Sequence, residues 1–412
     1  MTDPFSRSIL SLRRRVSRRF APGIWTITVI GFLNAAGFSI SLPFLSLYLY
    51  QQRGLSMTMV GIIILISGLG SAATQMVGGA LSDRFGRRPL LLGAVITSAI
   101  LYGVMAVFIA IDAGVLIIAL TYIAGRAALM MMRPAISATV VDLSPKSQLT
   151  EAYGVFRIGQ NLGWAAGPAI GGYLASVLPY GWLFGVAALM GVIAFAVIFF
   201  RLKESFGGTQ DVINFRNVFA ATRDSGFLHF IAICMLVFVV TSQMASTLSV
   251  YAVDRIGFST VQYGLLLTLN GVIVVLLQYP VARWLDRISK PAALVIGSVL
   301  YGVGYFSFGL DTRFVSGLIS MAIVTAGEIT YSPVSQAVVG ELSPPDWRGR
   351  YMGLFSLSET MGISLGPLLG GIILDRAPEN HMAVWAAIAI VAFAAAVGFY
   401  QWGRMHPKSV AG

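Results

Sequence analysis

Five charged side chains stand where the sequence otherwise offers apolar or small neighbours: Arg126, Arg133, Arg157, Glu328 and Glu359. An ionisable group at the centre of a membrane-length apolar run costs ~2.5–3.5 kcal/mol on insertion scales, so each is a candidate for function. Two chemistries suit the set. A carboxyl at depth carries a proton when its exposure alternates between two sides, and Glu328 and Glu359 are the candidate carriers. Glu328 lies thirteen residues before Glu341, and its helix face continues through Tyr331 and Ser335. Arginines can bind an anion or pair with the acids. Arg126 and Arg133 are seven residues apart, two helical turns, and so share a face. Arg133 is nine residues from Asp142, about 13 Å along a helix. Arg157 reaches a similar height on the next run, with Asn161 one turn above it and Gln160 beside it. Asn34 is the polar residue of the first run, which carries no acid. The structural alternative is a salt bridge across the bundle, for instance Glu359 with an arginine of a neighbouring helix.

A second group lies between two apolar runs: Gly79, Asp83, Arg84, Gly86, Arg87 and Arg88. Asp83 ends a helix where it can face cations and a helix N-terminus. Gly86 admits a turn closed to other residues, and the arginines hold the loop at an anionic headgroup surface. A third group is Gly163-x-x-x-Gly167-Pro168-x-x-Gly171-Gly172, repeated at Gly362, Gly366, Pro367, Gly370 and Gly371. Four-residue glycine spacing lets helices approach closely, and the prolines permit a bend.

The elements that must position these residues are membrane helices. The chain is 57% hydrophobic and 11% charged, with mean hydropathy +0.80, against ~25% charged in soluble domains. Twelve apolar runs cover approximately 23–50, 56–82, 89–111, 114–141, 152–177, 181–201, 226–252, 260–285, 291–310, 314–340, 350–374 and 382–403. Each meets the ~20 residues that cross the hydrocarbon core. With the N-terminus inside, 21 of the 28 basic residues fall on cytoplasmic segments, which predicts both termini cytoplasmic. The predicted organisation is a basic segment 1–22, a six-helix bundle 23–201, a polar linker 202–225, a second bundle 226–404 and a tail 405–412. The bundles repeat. At an offset of 199, Pro134 matches Pro333 and Asp142-Leu143-Ser144-Pro145 matches Glu341-Leu342-Ser343-Pro344. At an offset of 203, Asp83 and Arg84 match Asp286 and Arg287, although this second loop lacks the glycine and the arginine pair. The net charge of +11 sits in short loops and not on one soluble face, so nucleic acid is not an expected partner. The lone Cys234 and the scattered His229, His381 and His406 form no disulfide or metal pattern. No phosphate-binding loop of the Gly-x-x-x-x-Gly-Lys-Ser/Thr type is present. Catalytic residues, metal sites and cofactors are therefore all expected to be none.

The loop Gly79 to Arg88 closely resembles the loop between helices 2 and 3 of the major facilitator superfamily. The six-plus-six repeat resembles that family's architecture along nearly the whole chain. The resemblance implies an all-α transporter of twelve transmembrane helices in two repeats, with its site between them near the midplane. Within the family, the Gly163–Gly172 pattern resembles that of antiporters. Arg126 resembles the helix-4 arginine of the drug/proton antiporters, although Met130 stands where those have glycine. Asp83, Arg84, Arg87, Arg88, Asp286 and Arg287 would then form a conformational latch. The implied activity is proton-coupled efflux of a small amphipathic, drug-like molecule, anionic or zwitterionic, from a monomer in lipid at a bacterial inner membrane. The alternatives are proton-coupled uptake of a peptide, sugar or organic anion, and a non-transporting receptor or lipid scramblase.

Overall fold

A computed structural model describes residues 20–145, 148–205, 224–285, 287–310, 313–344 and 347–406. Most of the expected basic segment, linker and tail, and Asp286 of the second loop, lie outside these residues. Among the described residues there are helices, turns and short connections but no strands. The long helices are α1 (Pro22–Leu47), α2 (Met57–Phe85), α3 (Arg87–Ala110), α4 (Val115–Asp142), α5 (Leu149–Val177), α6 (Gly181–Arg201), α7 (Ser225–Thr241), α8 (Thr260–Leu285), α9 (Lys290–Phe308), α10 (Phe314–Leu342), α11 (Arg348–Arg376) and α12 (His381–Met405).

Among the described residues, eleven helical segments are long and apolar enough to cross a membrane, which makes this a multi-pass membrane protein. The helix that falls short is α5, expected as the fifth span. Gln160, Asn161 and its glycines lower its hydropathy while leaving it 29 residues long. It can be less apolar because α1 and α8 pack against it.

Local chemistry explains where helices start and break. Ser56 accepts a hydrogen bond from the Met59 amide (3.2 Å) and starts α2. Asp224 does the same for α7 through the Phe227 amide (3.0 Å), and its other oxygen accepts from the Tyr351 hydroxyl of α11. The seventh span, expected to run unbroken over 226–252, is interrupted instead. Its α-helix ends at Thr241, a tighter turn covers Ser242–Ala245, and helix resumes at Thr247. The physical reason is local. Gln243 donates to the Val239 carbonyl (2.8 Å), Thr247 donates to the Gln243 side chain (2.5 Å), and Ser242 donates to Val239. These side chains take up backbone groups that an unbroken helix would use itself.

In the first six helices, α1 packs on α5 and α6, α2 on α4, and α3 on α4 and α6. In the last six, α7 packs on α11 and α12, α8 on α10, and α9 on α10 and α12. Two pairs of long helices join the sixes, α5 with α8 and α11 with α2, and α1 also meets the short helix Thr247–Val250. The glycine patterns permit these contacts. A Cβ on Gly163 or Gly171 would lie 2.6 Å from a carbonyl of α1, and one on Gly362 would lie 2.7 Å from the Met235 carbonyl of α7. The last glycine of each pattern turns outward. Gly172 abuts Thr260 of α8, and Gly371 abuts Met57 of α2.

Candidate functional site

A cavity of about 530 Å³ lies between the two sets of six helices. Asn34 of α1, Arg126 and Arg133 of α4, Asn161 of α5, Glu328 and Tyr331 of α10 and Glu359 of α11 all line it. Its charge is divided by origin. The first six helices contribute its cations and the last six its acids.

Glu328 accepts a hydrogen bond from Asn270 Nδ2 of α8 (2.7 Å), and the same amide nitrogen donates to Thr325 (3.1 Å). The Tyr301 and Tyr305 rings of α9 lie within its electrostatic reach. Asn270 was not among the residues expected from the sequence. Its signal was available, since it is the asparagine near the middle of the apolar run 260–285, between Gln262 and Gln278. Helical spacing places Tyr331 and Ser335 on the same wall, as expected.

Glu359 lies in the fields of Arg133 and Arg157 from the other six helices. Among the described residues no arginine nitrogen comes within 4 Å of it, so the interaction is through space and not a closed salt bridge. Arg157 is exposed and does not line the cavity itself. Arg126 is only 9% exposed. Its Nη1 donates to the Tyr122 hydroxyl (3.0 Å), and its guanidinium carbon lies 5.2 Å from the centroid of the Phe38 ring.

The loop after α2 turns at Gly86, whose φ of +101° favours glycine. Asp83 pairs with Arg87, and Arg87 also reaches Asp142 (3.3 Å). The sequence reading let Asp83 face cations and a neighbouring helix N-terminus; it meets the cation Arg87 but not the N-terminus of α3. In this conformation that position belongs to Glu204, which accepts from the Arg87 and Arg88 amides (3.0 and 3.1 Å) and caps α3. Arg84 lies over the Phe85 ring, and Arg88 donates to the Phe199 carbonyl (2.8 Å). Gly79 makes only ordinary contact with Pro134, whereas Gly78 is the glycine pressed against α4.

The second loop keeps more of the first than its sequence suggests. Lys290 pairs with Glu341 at 2.5 Å, at the positions that match Arg87 and Asp142. Among the described residues, Arg287 makes no comparable ion pair.

Hydrogen bonds at two places also join the two sixes. Asp375, at the end of α11, accepts from the Met57 amide (3.0 Å) and the Thr58 amide (2.7 Å) at the start of α2. Thr260 at the start of α8 donates to the Gly172 carbonyl (3.1 Å). Both lie on the membrane face opposite the loop at Gly86. These bonds close the two sets of helices together at that face.

A family model described as Major Facilitator Superfamily matches residues 27–263 and 231–411. An uncharacterized MFS-type transporter, YttB of Bacillus subtilis, is 28% identical over 364 residues, covering 86% of this chain and 89% of that protein. The multidrug resistance protein MdtH of Yersinia enterocolitica is 23% identical over 392 residues, covering 93% and 95%. A crystal structure of a POT family transporter in complex with 5-aminolevulinic acid superposes with TM-score 0.79 at 15% identity, covering 94% and 97%. At that identity the likeness concerns fold alone.

Proposed function

The chain belongs to the major facilitator superfamily, and from that premise we propose that it is a proton-coupled exporter of small amphipathic molecules working by alternating access. The observation that carries the reading is the shared cavity: Glu328, hydrogen-bonded by Asn270, faces the same space as Arg126 and Arg133 between the two sets of helices. A carboxyl and a substrate site in one chamber bias the same two-state equilibrium, which is how two fluxes become coupled. The likeness to a multidrug resistance protein supports efflux of drug-like molecules.

In this reading the chain is two six-helix repeats, 23–201 and 226–404, joined by 202–225. Both ends lie in the cytoplasm of a bacterial cell, and the protein acts as a monomer in the inner membrane. The closed face is then extracellular, and the conformation is open to the cytoplasm. Asp375 holds the extracellular side shut through two amides of α2. Glu359, facing Arg133 and Arg157 across the cytoplasmic side, draws that side together when the extracellular contacts release. The loop Gly79–Arg88 latches against the opposite six in that second state, with Asp83 and Arg87 exchanging their present partners.

The reading is tested in everted membrane vesicles acidified inside. Candidate amphipathic substrates should accumulate and leave on addition of an uncoupler. Accumulation by intact cells under an inward proton gradient would replace export with symport.

A further inference from the structure

The two kinds of cation around the cavity are not in the same situation. Arg133 and Arg157 face Glu359. Arg126 is more deeply buried, and no carboxylate of the described residues pairs with it. Its guanidinium makes one hydrogen bond, to the neutral Tyr122 hydroxyl, and its Nε is buried with no partner. Phe38 lies beside it and packs edge-on against Trp164, with ring centroids 5.6 Å apart. A buried guanidinium with unused donors is costly unless an anion compensates it. Its planar fork matches a carboxylate, which can accept two parallel hydrogen bonds.

We propose that Arg126, steadied by Tyr122 and flanked by Phe38 and Trp164, is the subsite that binds the carboxylate of an aromatic or similarly apolar organic acid. The inference rests on the export reading and deepens it by naming one group of the substrate. The apolar body lies against Phe38 and Trp164, where ring contacts favour flat molecules. The carboxylate neutralises Arg126 and leaves Glu328 on the opposite wall free to exchange its proton. Arg133 is then not the seat of the anion, because Glu359 already answers its charge.

The test uses purified full-length protein and two probes of one shape, 2-naphthoate and its neutral analogue 2-naphthamide, with affinities measured by calorimetry. The wild type should bind the acid about tenfold more tightly than the amide or better, as charge-assisted hydrogen bonds imply. Arg126→Gln should erase that preference while keeping the amide's affinity, and Arg126→Lys should keep part of it. Arg133→Gln should leave the preference in place. Equal wild-type affinities for acid and amide would overturn the proposal, and this comparison stands even if Arg126→Gln does not fold. A preference that survives Arg126→Gln and vanishes in Arg133→Gln would overturn it equally. The export reading fails separately. If the acid preference holds in binding but no proton-driven flux occurs in liposomes, the subsite stands and the export reading falls.

Discussion

The first six helices and the last six share one packing scheme but carry different chemistry. In each, the fifth helix lays a glycine ladder on the first, and its final glycine meets the second helix of the other six. Into the cavity, however, the first six project Arg126 and Arg133, and the last six project Glu328 and Glu359. The backbone architecture is duplicated because both sides of a rocking joint must present equivalent surfaces. In the proposed exporter this division sets the anion site and the proton carrier on separate walls of one chamber. The first helices differ as well. α1 runs unbroken from Pro22 to Leu47, whereas its counterpart α7 ends at Thr241 under the pull of Gln243 and Thr247.

The strongest way to break this division is at Glu328. Glu328→Gln should abolish proton-driven accumulation while retaining binding and downhill exchange, because the amide resembles the protonated acid in shape. A pH dye on detergent-solubilised protein should register substrate-induced proton release from the wild type and none from the variant. Undiminished release would move the carrier to Glu359 and undo the assignment of distinct roles to the two acids.

The shared packing is probed next, at Gly264 and Gly61. A side chain at Gly264 would collide with the Pro168 carbonyl, and a Cβ at Gly61 would lie 2.5 Å from Leu368 Cα. Gly264→Leu and Gly61→Leu should each hold the face at Asp375 and Thr260 apart and cut transport by about tenfold or more, since overpacking costs ~1–3 kcal/mol. Thiol labelling of single cysteines along α2 and α8, in a background with Cys234→Ser, reads the opening. If only one of the two substitutions opened that face, the joint would not be symmetric.

A smaller effect is expected from Asp375, which has no acidic counterpart at Ser176 on α5. Asp375→Asn weakens a carboxylate at a helix N-terminus, worth about 0.3–1 kcal/mol, so the outward-open population should rise by roughly two- to fivefold. The same labelling measures it, and an unchanged population would show that Thr260 and the glycine contacts suffice to close that face.

The smallest effects on stability concern the two loops. Exposed ion pairs contribute about 0.2–1 kcal/mol, so Asp142→Asn and Glu341→Gln should each shift thermal unfolding only slightly. Asp83→Asn should leave expression and ligand binding nearly intact but slow transport, since its role is in exchange between states. Wild-type transport in that variant would reduce the first loop to the same plain ion-pair chemistry as the second.

Much of this was legible in the chain. Membrane helices follow from long apolar runs because a bilayer offers the backbone no other partner. Arg126, Arg133, Glu328 and Glu359 could be named as candidates because charge is rare and costly in such runs. Helical spacing placed Tyr331 and Ser335 with Glu328, and Gly86 could be read as the turn. What the tertiary structure decided is which of these residues meet. Asn270 reaches Glu328 from 58 residues away, and Asp375 reaches the start of α2 across 318. Sequence periodicity describes one helix at a time and says nothing of the rotation of one helix against another. The cap on α3 was equally hidden, because Glu204 reads as an ordinary linker residue until the chain returns from α6. The unequal standing of the arginines emerged last. The sequence shows three like charges, and only the packing places two of them opposite an acid and the third beside aromatic rings.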